Sequence, residues 1–279
     1  MLRLGGQVFI ENQQPETWAK AMHQAGFRAA TCPFDGKDRD LMKAYLDAAE
    51  QHNIVIAEVG AWSNPISIDE TIAKQAINYC AERLQLADDI GARVCVNIAG
   101  SRGTVWDGPH ELNLTDDTFN LIVDTVRAII DQVNPTRTTF ALEMMPWVYP
   151  NSADSYAALL KAIDRPQFGV HFDPVNIVNS PETYYHTDAL IIDFIEKLGP
   201  HIVNVHAKDI LLQPKLTLHL DEVIPGRGNL RYDVLLTQLN KLQRDIPVMI
   251  EHLSTNEQYT EAAQYIRSVA EQLRIDFIN

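Results

Sequence analysis

Cationic side chains are scarce in this chain: 23 Lys and Arg stand against 37 Asp and Glu, a formal net charge of −14. A surface of that sign repels a nucleic-acid backbone or an anionic membrane, and neither is expected as a partner. It leaves room for a small anionic substrate held by local arginines. Cysteine is scarcer still. Cys32, Cys80 and Cys95 include no CxxC pair, which argues against a disulfide framework and for a reducing, cytoplasmic compartment. No apolar run approaches the roughly 20 residues of a membrane span. The opening MLRLGGQVFI is too short in apolar residues, and too broken by glycine, for a secretory signal. Asn113-Leu114-Thr115 fits a glycosylation sequon, which in such a compartment is a chance match. Low-complexity tracts, linkers and composition shifts are also missing, so residues 1–279 read as one domain.

What the chain does have is alternation. With 46% hydrophobic residues it can fill one large core, and short apolar segments alternate with amphipathic ones from end to end. Strands are predicted at Leu4–Ile10, Phe27–Cys32, Ile54–Val59, Arg93–Ala99, Thr138–Glu143, Phe168–Asp173, Ile202–His206 and Pro247–Glu251. Helices are predicted at Pro15–Ala25, Lys37–His52, Ser67–Ile90, Thr115–Val133, Ser152–Ile163, Thr187–Leu198, Leu230–Leu242 and Ser254–Leu273. Ser67 with Glu70, and Ser254 with Glu257, read as capping boxes. Eight strands and eight helices in strict alternation imply parallel βαβ units closed into a (β/α)8 TIM barrel. A doubly wound open sheet is the competing fold, but no GxGxxG follows the first strand.

In a barrel of this kind the active site forms at the carboxyl ends of the strands. Four consecutive strands end on an ionisable residue: Glu143, Asp173, His206 and Glu251. Side-chain alternation sets each of them opposite a purely apolar face: Phe140 and Leu142, Val170 and Phe172, Val203 and Val205, Val248 and Ile250. Taken singly, each has a bland explanation: Asp173 as a turn residue before Pro174, Glu251 as a salt-bridge partner, His206 as a satisfied core histidine. Taken together they predict a shared site in the barrel mouth. Several carboxylates buried together need a cation. Three carboxylates and one imidazole suit a single divalent metal ion, Mn²⁺ first, with Mg²⁺, Co²⁺ or Zn²⁺ as alternatives.

The ordered Glu, Asp, His, Glu set, with the local His206-Ala207-Lys208-Asp209, resembles the xylose isomerase-like TIM-barrel superfamily and its sugar-phosphate isomerase/epimerase group. The resemblance implies Glu143, Asp173, His206 and Glu251 as metal ligands, and Glu143 and Glu251 as the acid/base pair of a sugar or sugar-phosphate isomerase or epimerase. The substrate would be a small sugar or polyol, turned over through an enediolate. An inosose-type dehydratase would use the same metal site for loss of water. A sugar-binding barrel without catalysis fits less well, because binding alone needs no paired bases. An endonuclease IV-like enzyme also fits less well, because Cys32, Glu58 and Asn97 stand where further histidines would be needed. The chain departs from the epimerase pattern at Asn176, where a substrate-holding histidine is usual.

Further substrate contacts are expected from the loops. Arg227, in Pro225-Gly226-Arg227-Gly228, resembles the family's substrate-binding arginine. Lys208 shares parity with His206, and Asp209 is placed to cap the loop or to orient Lys208. Glu58 and Asn97 are read as facing inward, and Trp147, with Trp106 and His110, as roofing the pocket. His171 is expected one layer below Asp173, and His252, of opposite parity to Glu251, is read as structural. Gly100-Ser101-Arg102-Gly103 is read as a plain loop rather than a phosphate cradle. Association into a homo-oligomer is left open.

Overall fold

In the computed structural model, which describes residues 1–279, the predicted alternation becomes eight parallel barrel strands. These are β1 (Leu2–Gly5), β2 (Ala29–Thr31), β3 (Val55–Gly60), β4 (Val94–Asn97), β5 (Thr139–Leu142), β6 (Phe168–Phe172), β7 (Ile202–Ala207) and β10 (Ile246–Ile250). They close in the order β1-β10-β7-β6-β5-β4-β3-β2. The helices between them are α1 (Pro15–Gln24), α2 (Arg39–Gln51), α3 (Glu70–Ile90), α4 (Asp116–Val133), α5 (Ala153–Ile163), α6 (Pro181–Tyr185), α7 (Thr187–Leu198), α8 (Tyr232–Lys241) and α9 (Asn256–Gln272). No helix is long and apolar enough to cross a membrane.

Two features of the connections were not predicted. A short helix, α6, precedes α7. The excursion after β7 folds into an antiparallel hairpin, β8 (Asp209–Leu212) against β9 (Leu220–Val223), with Asp209 opposite Val223. Two caps also shift toward the first turn. Asp69, not Ser67, caps α3 by accepting from the Thr71 and Ile72 amides, while the Ser67 hydroxyl accepts from the Asp69 amide one step earlier. Likewise Thr255, not Ser254, caps α9 by accepting from the Gln258 amide. In each case the nearer oxygen reaches the open amides. Ser152, where a helix was predicted to begin, caps α5 in a box closed by Ser155. The first strand starts and ends earlier than predicted; beyond its end Phe9 packs at a tilt against Tyr259 while Asn256 accepts from its amide.

The chain forms two compact units: Met1–Ala57 with Asp173–Pro200 and Asn204–Asn279, and Glu58–Phe172 with His201–Val203. In the first, β1 pairs with β10 and β2, and β10 pairs with β7. In the second, β3, β4, β5 and β6 pair in succession. Phe140 and Leu142 of β5 face α4, lining a cleft with Ile122, Val126 and Ile129. Val94, Val96 and Ala141 pack together on the other side of the sheet. At the carboxyl ends of β5 and β6 the phenol of Tyr156 is wedged into the seam. Its hydroxyl accepts from the Leu142 and His171 amides and lies 2.7 Å from the Leu142 carbonyl and 3.1 Å from that of Gly169. Four backbone groups that would otherwise seek one another meet a single side chain.

Candidate metal centre

Within the first unit, three strand ends bring their ionisable residues together. Parallel pairing sets His206 beside Met249, so His206 stands two residues below the level of Glu251, which follows β10. Asp173 follows β6. One of its oxygens serves the turn: Oδ1 accepts from the amides of Val175 and Asn176 at 3.0 and 3.2 Å. The other, Oδ2, is left to the site. His206 Nδ1 lies 2.8 Å from Glu251 Oε1 and 3.7 Å from Asp173 Oδ2. Asp173 and His206 are fully buried, and the Glu251 side chain is 16% exposed.

Lys208 closes this group. It is 2% exposed, and its Nζ sits 2.7 Å from Asp173 Oδ2, 3.0 Å from Glu251 Oε1 and 3.6 Å from Glu222 Oε2. It also donates to Asn176 Oδ1 at 3.1 Å, and the Tyr232 hydroxyl holds its carbonyl. Burial alone would push both carboxyls up. The groups beside them, the Lys208 ammonium foremost for Asp173 and the His206 imidazole foremost for Glu251, hold both well below the usual carboxylate range. Both are therefore ionised at neutral pH.

Two more residues border this group: Glu222, which the sequence did not single out, and His252, which was read as structural. Glu222, from β9, approaches Lys208, and His252 bonds to both Glu222 oxygens through Nδ1 at 3.1 Å. His252 Nε2 lies 3.8 Å from Glu251 Oε1, so it is not a remote structural residue. Its backbone is left-handed, with φ +58, and the strand alternation used to assign it does not extend through such a residue.

Asp209 caps the next loop, as expected. Its carboxylate accepts from the amides of Ile210, Gly226, Gly228 and Leu230 at 2.8–3.0 Å. The two glycines of PGRG serve this clamp. Gly226 has φ +96, and a Cβ on Gly228 would lie 2.3 Å from Asp209 Oδ1. The arginine between them does not join Lys208. Its exposed guanidinium grips Glu261 of α9 through two bonds of 2.6 and 2.7 Å.

Within the second unit, Glu143 follows β5 and Glu58 lies in β3, each 6% exposed, and His171 in β6 is fully buried. The inward placement expected of Asn97 is corrected. Asn97 pairs with Leu142, which faces the helices, and its amide bonds Ser63 and Cys80 Sγ of α3. It is a structural amide on the helix side of the sheet. Trp147 is 36% exposed and donates to the Asp107 carbonyl, tying two carboxyl-end loops together.

The donor set can be tested against a divalent ion. Asp173 Oδ2 and Glu251 Oε1 are buried without a well-aligned hydrogen bond, although cations lie beside them. Two carboxylate oxygens and an imidazole nitrogen turned toward one another, each within 4.8 Å of the others, form three corners of a hard-cation site. The residues fit the group.

The sequence profile described as xylose isomerase-like TIM barrel matches residues 19–269. No functionally curated protein matches the chain. Solved structures are similar in fold at low identity. D-psicose 3-epimerase with D-tagatose from Clostridium cellulolyticum H10 is 13% identical, covering 98% of this chain and 100% of that one, with a TM-score of 0.71. A xylose isomerase-like TIM barrel protein from Mycobacterium smegmatis, in complex with magnesium, is 15% identical over 97% of each chain, with a TM-score of 0.69. The probable 3-DHS dehydratase AsbF from Bacillus anthracis is 16% identical, covering 97% of this chain and 99% of that one, with a TM-score of 0.71.

Proposed function

The chain belongs to the xylose isomerase-like TIM barrel family, and from that premise we propose that it is a divalent-metal-dependent isomerase or epimerase of keto sugars. The observation that carries this reading is the buried convergence of Asp173, His206 and Glu251 at the ends of three strands, with both carboxyls ionised. Glu143 is the fourth ligand: it follows β5, the strand paired with β6, whose end carries Asp173. Mn²⁺ is the proposed ion, with Mg²⁺, Co²⁺ and Zn²⁺ as alternatives.

A bound divalent cation supplies polarisation of the ketose carbonyl and its neighbouring hydroxyl, which lowers the cost of removing the adjacent proton. The chain's own residues do the rest. One carboxylate of the Glu143 and Glu251 pair takes the proton from the carbon beside the carbonyl, leaving an enediolate. The other returns a proton to the same carbon or its neighbour. Lys208, 3.0 Å away, keeps Glu251 ionised, and so able to act as a base at neutral pH. Asn176, beside Lys208, is the candidate for holding a substrate hydroxyl.

Deuterium exchange into ketoses, measured with Mn²⁺ and again after chelation, tests the scheme. Exchange should vanish with the metal and in Glu251→Gln and Glu143→Gln. Undiminished exchange in protein free of metal by elemental analysis would sink it. The fold likeness to a probable dehydratase supports a second reading, a lyase acting on a polyol ketone at the same residues. Net loss of water from the product would single it out.

A further inference from the structure

We infer that the substrate is an uncharged keto sugar and that its phosphate esters are rejected. The inference rests on the proposed sugar chemistry and sharpens it. A phosphate is held in barrels of this kind by backbone amides of the last loops, often with a lysine or arginine. Here the glycine-loop amides best placed for such a cradle, and two at the start of α9, are bonded to the protein's own side chains.

In the loop after the β8–β9 hairpin, Gly226, Gly228 and Leu230 all donate to the Asp209 carboxylate. A phosphate there would displace a buried anion that already fills the same role. In the loop after β10, Ser254 donates to Gln258 Oε1, and the Gln258 amide to Thr255 Oγ1. The glycine-flanked loop after β4 is closed in the same way. Ser101 donates to Asn64 Oδ1, Arg102 to Asn113 Oδ1 and Gly103 to Ser101 Oγ.

The cations of the carboxyl-end loops are committed as well. Lys208 is shared among Asp173, Glu251 and Glu222. Arg227 is bound by Glu261 and Arg231 by Asp233. Arg102 donates to the Ile66 carbonyl at 2.6 Å. Lys37 lies beside Asp35 on the surface. Lys215 lies beyond the end of β8, a strand about 13 Å long at ~3.3 Å per residue, and so away from Lys208. Away from the metal ion, a dianionic ester would lose its hydration without gaining an uncommitted counter-ion, and it would meet Glu222 beside the site. The hydroxyls of a free sugar carry no such cost.

The test uses metal-loaded protein and matched pairs: a ketohexose and its 6-phosphate, a ketopentose and its 5-phosphate. Deuterium exchange beside the carbonyl should give a kcat/KM at least 100-fold higher for the free sugar of a productive pair. Equal or better use of the ester would overturn the inference and leave the isomerase reading standing. If no member of either pair exchanges, the isomerase reading falls. Calorimetric titration with the same pairs then decides the charge preference without turnover: tighter binding of the free sugar upholds the inference, and tighter or equal binding of the ester, or no binding of either, overturns it. Lys215→Ala should leave the preference unchanged, and a 10-fold change in the ester-to-sugar ratio would also count against it.

Discussion

Replacing Lys208 by methionine removes a charge while keeping most of the side chain's volume. In the metal-free protein the ammonium is the nearest cation to Asp173 Oδ2, at 2.7 Å, and it lies 3.0 Å from Glu251 Oε1. Breaking a buried pair by deleting one partner costs about 3–5 kcal/mol. There is a ceiling, because the stranded carboxyl can take up a proton. At pH 7, neutralising a group of ordinary pKa near 4 costs about 3 × 1.36, or roughly 4 kcal/mol. The expected loss is therefore about 3–4 kcal/mol in the presence of a chelator, or roughly 5–7 °C in Tm at about 2.1 cal/mol/K of unfolding entropy per residue. The depressed pKa of Asp173 stabilises the wild type above the ordinary carboxylate range, and that contribution disappears as pH falls through the depressed value. In the variant the stranded Asp173 carboxyl is instead pushed up by burial and takes up its proton above pH 4, so the gap between wild type and variant should narrow between pH 7 and pH 4. Saturating Mn²⁺ at about 100 times its Kd should return about 2.7 kcal/mol to a variant that still binds it. Urea titrations with and without chelator at both pH values measure all three quantities. A loss below 1 kcal/mol at pH 7, or a gap that widens on acidification, would refute the electrostatic account.

Tyr156→Phe should cost about 1–3 kcal/mol, since one hydroxyl meets four buried backbone groups, and denaturant unfolding will measure it. Of the three thiols, only half-buried Cys32 should react with a maleimide in the folded protein. Burial excludes Cys80 and Cys95 and pushes the Cys80 thiol up to about 11, so mass spectrometry should find one label. Gly228→Ala should destabilise the protein by more than about 2 kcal/mol, because its methyl group would fall on the Asp209 carboxylate and strand buried amides. A thermal melt unchanged within 1 °C would contradict the clamp.

The barrel and the strand ends at Asp173, His206 and Glu251 were legible because each follows a run of residues with a regular period. Alternation carries information only while the backbone stays extended. It therefore misplaced His252, one residue past Glu251 and in a left-handed conformation. It misplaced Asn97 for a different reason: the inward side of β4 depends on its register with β5, and Asn97 pairs with helix-facing Leu142. Glu222 was out of reach because it arrives by a hairpin whose strands, DILL and LDEV, are too short to carry a period. Arg227 was read from its glycine neighbours. Those glycines answer to Asp209 and Tyr265, while the arginine is drawn to Glu261 on a helix far along the chain.

The clamp at Asp209 also makes the hairpin a cassette. One carboxylate fastens the entry of the excursion at Ile210 and its exit at Gly226, Gly228 and Leu230. The tip between Leu212 and Leu220 lies outside those fastenings, with Leu216 fully exposed. Length and sequence can vary there at little thermodynamic cost, since doubling a flexible loop adds only about 0.6 kcal/mol. New recognition elements can thus be grafted at the tip while Lys208 keeps its place at the foot of the hairpin.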